Sequence, residues 1–76
     1  MKVKIKTWRA LERKFGLDEE GDINCQYIFT KDMEEVLPED RIIEVERGID
    51  VYFFETETTE WWISDDMIEK VIEEDE

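Results

Sequence analysis

The chain has 76 residues, with 23 Asp and Glu against 10 Lys and Arg, no His and one Cys, for a formal net charge of −13. This length allows one domain whose core is only just sufficient, so its three Trp, four Phe and two Tyr are needed to build it. Lack of His removes the commonest general base and metal ligand, the single Cys excludes an internal disulfide, and no apolar run approaches the ~20 residues that span a bilayer.

Lys2 to Lys6 alternates charged and apolar residues, which predicts a half-buried strand with Val3 and Ile5 inward. Its outward lysines are a common guard on an edge strand. Thr7 is placed to cap a short helix with Trp8, Leu11 and Phe15 on one face, closed by Gly16. Leu17 to Asn24 is a loop rich in Asp, Glu and Gly. Cys25 to Phe29 reads as a short apolar strand, with Tyr27, Ile28 and Phe29 as core candidates. Thr30 is a second cap, opening a helix over Lys31 to Leu37 with Met33, Val36 and Leu37 on one side; Pro38 stops it.

Arg41 to Glu46 alternates again, with Ile43 and Val45 on one face and Ile42 on the other. A turn at Gly48 pairs Val51–Glu55 back as a hairpin, and Thr56 to Thr59 turns the chain into Trp61. Trp61 to Ile63 reads as the last buried strand. Ser64 then predicts the cap of a closing helix, with Asp65 and Asp66 at its positive end and Met67, Ile68, Val71 and Ile72 as its apolar stripe. The acids at 73–76 oppose the dipole of such a helix, so a frayed acidic tail is expected after a single domain over 1–72.

Three consecutive strands closed by the N-terminal one predict an α+β fold, a small SH3-like, partly open antiparallel barrel with short helices. The alternative is a curled antiparallel sheet with helices on one face.

The segments Phe29-Thr30-Lys31-Asp32-Met33 and Trp62-Ile63-Ser64-Asp65-Asp66-Met67-Ile68-Glu69, with Gly21-Asp22-Ile23 before them, resemble a loose group of small proteins. These are encoded by phages and prophages of low-GC Gram-positive bacteria. The likeness covers most of residues 2–70. Leu37-Pro38-Glu39-Asp40 stands where members usually carry a Gly. The resemblance implies a phage-like origin and an SH3-like barrel, and no activity.

No Gly-rich phosphate loop is present, and Cys25 has no His to activate it, so no enzyme, catalytic residue or cofactor is expected. The loop Asp18-Glu19-Glu20-Gly21-Asp22-Ile23-Asn24 invites a calcium alignment with Gly21 at the sharp turn. That alignment puts Gly16 and Tyr27 where the terminal ligands belong, so a solvated acidic loop is the better reading and no metal is expected. Trp61 and Trp62 point to opposite faces of a strand. One enters the core; the other is covered by a helix, lies half exposed or meets a partner.

Charge is also unevenly spread. Residues 1–15 carry a net +5 and the remainder −18. Such a field repels phosphate and lipid headgroups and attracts basic surfaces, so neither direct nucleic-acid nor membrane binding is expected. Plain solubility is the competing reading. The Met-Lys-Val-Lys-Ile-Lys start has no apolar stretch of a signal peptide, and a lone Cys suits a reducing compartment, so the expected location is the cytoplasm of a bacterial host cell.

The expected function is an acidic protein-binding module, an inhibitor or modulator of phage type. It would dock on the basic, nucleic-acid-binding surface of a host or defence protein, as a nucleic-acid mimic. Candidates for the acidic surface are Asp18, Glu19, Glu20, Asp22, Glu34, Glu35, Glu39, Asp40, Glu44, Glu46, Glu57, Glu60, Asp65, Asp66 and Glu69, with Trp61, Trp62 and Tyr52 as aromatic anchors. The alternative is a non-catalytic structural module that self-associates, as a homodimer or in a larger assembly, through a sheet edge.

Overall fold

A computed structural model describes residues 1–74. Strand β1 (Lys2–Ile5) buries Val3 and Ile5, as the alternation requires. It is not an edge strand. It lies in the middle of a sheet ordered β2-β1-β6, between β2 (Ile42–Glu44) and β6 (Ile68–Glu73). Its outward Lys2 and Lys4 face carboxylates instead of solvent alone, with Nζ 3.8 Å from Glu73 and 3.5 Å from Glu69.

Helix α1 (Trp8–Phe15) opens on Thr7, whose Oγ1 accepts the Ala10 N–H at 3.2 Å, and places Arg13 and Lys14 at its negative end. Gly16 closes it with φ 77, a left-handed conformation that suits glycine. Helix α2 (Lys31–Val36) is capped by Thr30, which accepts the Met33 N–H at 3.1 Å. Leu11 and Met33 are the buried residues of the two helices.

Between the helices no strand forms over Cys25–Phe29. The backbone bends instead, with the Cys25 N–H turned back on the Ile23 carbonyl at 3.0 Å, and Ile23 supplies the pairing, with single bridges to Leu17 and to Phe29. Ile23, Cys25 and Phe29 are buried, Tyr27 is half-buried and Ile28 is exposed.

Arg41 follows the Pro38 turn with φ 60 and ties three segments together. Its guanidinium donates to Glu34 Oε1 of α2 at 2.7 Å, to the Ile5 carbonyl at 3.2 Å and to the Lys6 carbonyl. The chain then passes from one sheet to the other at Val45, buried between β2 and β3 (Glu46–Arg47). The second sheet is β3-β4-β5, with β4 (Tyr52–Glu55) and β5 (Glu60–Ile63) paired across the Thr56–Thr59 turn as expected. Of the hairpin expected between Arg41–Glu46 and Val51–Glu55, however, only Glu46–Arg47 meets β4, because Ile42–Glu44 pairs with β1. The fold is α+β, with six strands in two small antiparallel sheets. It does not form a closed barrel, and two sheets stand where the alternative expects one.

The closing helix is absent. Ser64 makes no cap bond and instead donates to the Asp66 carboxylate; Asp65–Met67 is a single 3₁₀ turn, and β6 follows. The β1–β6 register explains the misreading. Val3 lies opposite Val71 and Ile5 opposite Ile68, and the register shifts leave Glu69 and Ile72 as extra residues on β6. Each extra residue is a bulge that stretches the inward spacing from two to three, the spacing of a helix face. β-Branched Ile68, Val71 and Ile72 suit the strand, and β1 needs a partner on that side. Met67 is buried, but Val71 and Ile72 are each 43% exposed and are not core. The reason for tail fraying falls with the helix: Glu73 pairs with Lys2, Glu74 follows the strand, and Asp75 and Glu76 lie outside the described residues.

Candidate functional site

Alternation along β4 and β5 divides their side chains into two sets. Tyr52, Phe54, Trp61 and Ile63 turn to the core, whereas Phe53, Glu55, Glu60 and Trp62 turn outward. Opposite residues of an antiparallel pair share a face, so the register places Phe53 beside Trp62 and Glu55 beside Glu60. Glu46, opposite Phe53 on β3, belongs to the same outer face.

The outer face carries a chain of rings. Trp62 meets Phe53 edge to face, with centroids 6.3 Å apart and planes at 86°. Tyr27, from the segment between the helices, meets Trp62 from another side at 5.5 Å and 88°. The Gln26 N–H donates to Asp66 Oδ2 at 3.2 Å, which pins that segment to the 3₁₀ turn and fixes where Tyr27 stands. Trp62 remains 52% exposed, as does Ile28. Gln26, Tyr27, Ile28, Met33, Glu60, Trp61 and Trp62 line an open groove of about 470 Å³. A second hollow of about 210 Å³ shares Glu60 and is lined by Glu44, Val45, Glu46, Phe53 and Glu55.

The electrostatics of this face are one-sided. Glu46, Glu55 and Glu60 make no ion pair among the described residues, and Glu44 is met by the Met1 ammonium at 3.3 Å. Like charges directly opposite on a sheet are destabilising, so folding alone does not favour Glu55 against Glu60. Cation–ring contacts occur at Lys14 with Phe15 and Arg47 with Tyr52, away from Trp62.

Other expected residues are scattered or already engaged. Asp18 Oδ1 accepts the Glu20 and Asp22 amides at 2.9 and 3.0 Å, and Asp22 accepts the Lys31 amide. Asp40 accepts the Ile42 amide, Glu34 is held by Arg41, and Glu69 by Lys4. Glu35, Glu39, Glu57 and Asp65 are exposed, away from both hollows, whereas the exposed Glu19 and Glu20 stand beside Ile28, which also lines the aromatic groove. Of the three aromatic anchors, Trp62 is the exposed one. Tyr52 packs on the core under Arg47; Trp61 lies against the core, and its buried Nε1 has no hydrogen-bond partner among the described residues. Sequence reading missed Tyr27, Phe53 and Glu55. For Phe53 and Glu55 the signal was present in the Thr56–Thr59 hairpin, whose register follows from its length. For Tyr27 no local signal exists.

Burial pushes the Cys25 thiol up to about 11, with Asp66 adding to the rise and Lys6 opposing it, so its thiolate is scarce at neutral pH. Among the described residues no cluster of three or more Asp, Glu, Cys or His is arranged to hold a metal, and no helix is long and apolar enough to cross a membrane. No protein-family model, curated protein or solved structure matches the chain.

Proposed function

We propose that this protein is a non-catalytic, acidic binding module that docks on a basic surface of another protein. The observation that carries the reading is the shortage of internal neutralisation. Against a net charge of −13, only Glu34, Glu44, Glu69 and Glu73 among the described carboxylates lie within ion-pair distance of a cation. Lys6, Arg9, Arg13 and Lys14 form no ion pair among the described residues, so the basic start of the chain leaves most of the acidic surface uncompensated. The raised Cys25 thiol, without a base beside it, argues against nucleophilic chemistry.

On this reading the partner is a nucleic-acid-binding protein of a bacterial host or its defences, and the module works in the cytoplasm as a phage-type inhibitor. Its carboxylates occupy Lys and Arg positions that otherwise hold phosphate, so affinity falls steeply with salt. An SH3-like architecture belongs to the same proposal. It is supported by the passage of the chain from β2 in one sheet to β3 in the other across Val45 and by a 3₁₀ turn that carries β5 into β6 beside β1.

The test is capture from bacterial lysate on the immobilised full chain at about 0.1 M and 1 M salt, followed by competition with duplex DNA. Retention of a nucleic-acid-binding protein at low salt, released by DNA, is expected. Retention of nothing at low salt overturns the reading. Self-association is the second reading, favoured by β6, which leaves one edge unpaired with Val71 and Ile72 partly exposed. A salt-insensitive dimer in sedimentation would favour it.

A further inference from the structure

We propose that the outer face around Trp62 is a receptor for an arginine side chain presented by a basic segment of another protein. The proposal rests on the docking reading above and assigns it a contact point.

Three features converge there. Trp62 is half exposed although the domain is short of aromatic residues for its core, and its ring is held by edge-to-face contacts with Tyr27 and Phe53. A ring fixed on both sides loses little freedom when a ligand stacks on it, which favours recognition over collapse. Glu46, Glu55 and Glu60 stand around the rings without a cation of their own, and Glu60 lines both the aromatic groove and the adjoining hollow.

An aromatic face draws cations through its quadrupole, most strongly for Trp. A carboxylate beside it completes the site, since a guanidinium can stack on the ring and donate its N–H groups sideways. Lysine lacks that planar fork. A neutral apolar ligand leaves the three carboxylates unpaired at the rim, and a phosphate or acidic peptide is repelled by them. The chemistry therefore selects arginine in a basic polypeptide.

The probe is an acetylated, amidated peptide of four Gly-Arg repeats, titrated into the ¹⁵N-labelled full chain. Matched peptides carry lysine or the neutral isostere citrulline. The indole N–H of Trp62, assigned by its disappearance in Trp62→Phe, is expected to shift on titration with the arginine peptide, binding weaker with lysine and absent with citrulline. Trp62→Ala is expected to weaken binding roughly fivefold or more, with Trp62→Phe retaining part of it. Glu55→Gln with Glu60→Gln is expected to weaken it more than the equal-charge control Glu35→Gln with Glu39→Gln, exposed carboxylates that line neither hollow.

The same spectra report whether each variant is folded, and the Gln pair removes a repulsion, so it tests the site without depending on the Trp variant. Undiminished binding in folded Trp62→Ala, equal losses from the two Gln pairs, or equal binding of lysine and arginine peptides overturns the arginine site and leaves a diffuse acidic docking surface standing. Absence of binding by the wild-type chain at low salt overturns the arginine site, whereas the docking reading falls only if the lysate capture also retains nothing.

Discussion

Arg41 is the side chain on which most segments converge. It binds Glu34 of α2 and the carbonyls of Ile5 and Lys6, and its own carbonyl accepts the Ile5 N–H at 2.9 Å. Arg41→Ala leaves a partly buried Glu34 carboxylate and two carbonyls without this donor, and is expected to lower stability by about 2–3 kcal/mol in urea denaturation. Arg41→Lys should recover only a small part, because an ammonium cannot span three acceptors as the planar fork does. Cys25 gives a pH-dependent expectation. Its folded-state pKa of about 11 lies above the ordinary 9.0, because burial disfavours the thiolate. The resulting stability is fully present below pH 9 and is lost as pH rises from 9 through 11. Alkylation of the native protein should be slow at pH 8 and should rise about tenfold per pH unit with the thiolate fraction, levelling off near the upper value. Fast alkylation at pH 8 in the folded protein would contradict the burial.

The β4–β5 hairpin shows how a single element can be built against its own stability. Glu55 and Glu60 face each other across it, and Glu55→Gln is expected to raise stability by about 0.2–1 kcal/mol, with the gain shrinking as salt is added. The turn before it is tighter. A Cβ on Gly48 would lie 2.6 Å from Phe53 Cε2 and 3.1 Å from Val51 Cγ1. Gly48→Ala is therefore expected to cost about 1–3 kcal/mol, read as a lower denaturation midpoint. Because Phe53 supports Trp62, the same substitution should also disturb the indole resonance. Strand β6 marks the limit of reading elements locally. Ile68 and Val71 are three apart, as on a helix, and only the β1 partner reveals that Glu69 is a bulged residue between the positions paired with Ile5 and Val3.

At the scale of the whole molecule, a net charge of −13 leads to the expectation that self-repulsion outweighs the few ion pairs. Raising salt from about 0.1 M to 1 M shortens the screening length from ~10 Å to ~3 Å, so the melting temperature is expected to rise with sodium chloride before any specific ion effect. A fall over that range would mean that the Arg41 and Lys4 pairs outweigh the repulsion. Both helix starts at Thr7 and Thr30, the hairpin from Tyr52 to Ile63, and the inward Val3, Ile5, Ile43 and Val45 were legible in the sequence. Each of these follows from capping or alternation within a few residues. Acidity, and with it the expectation that phosphate-rich ligands are repelled, is also a property of composition alone. The position of β6, the switch of sheets at Val45 and the meeting of Tyr27 with Trp62 were decided only by tertiary structure. They depend on which edge β1 leaves open and on where Asp66 anchors the Gln26 amide, and such contacts join residues 35 or more positions apart, beyond the reach of any local pattern.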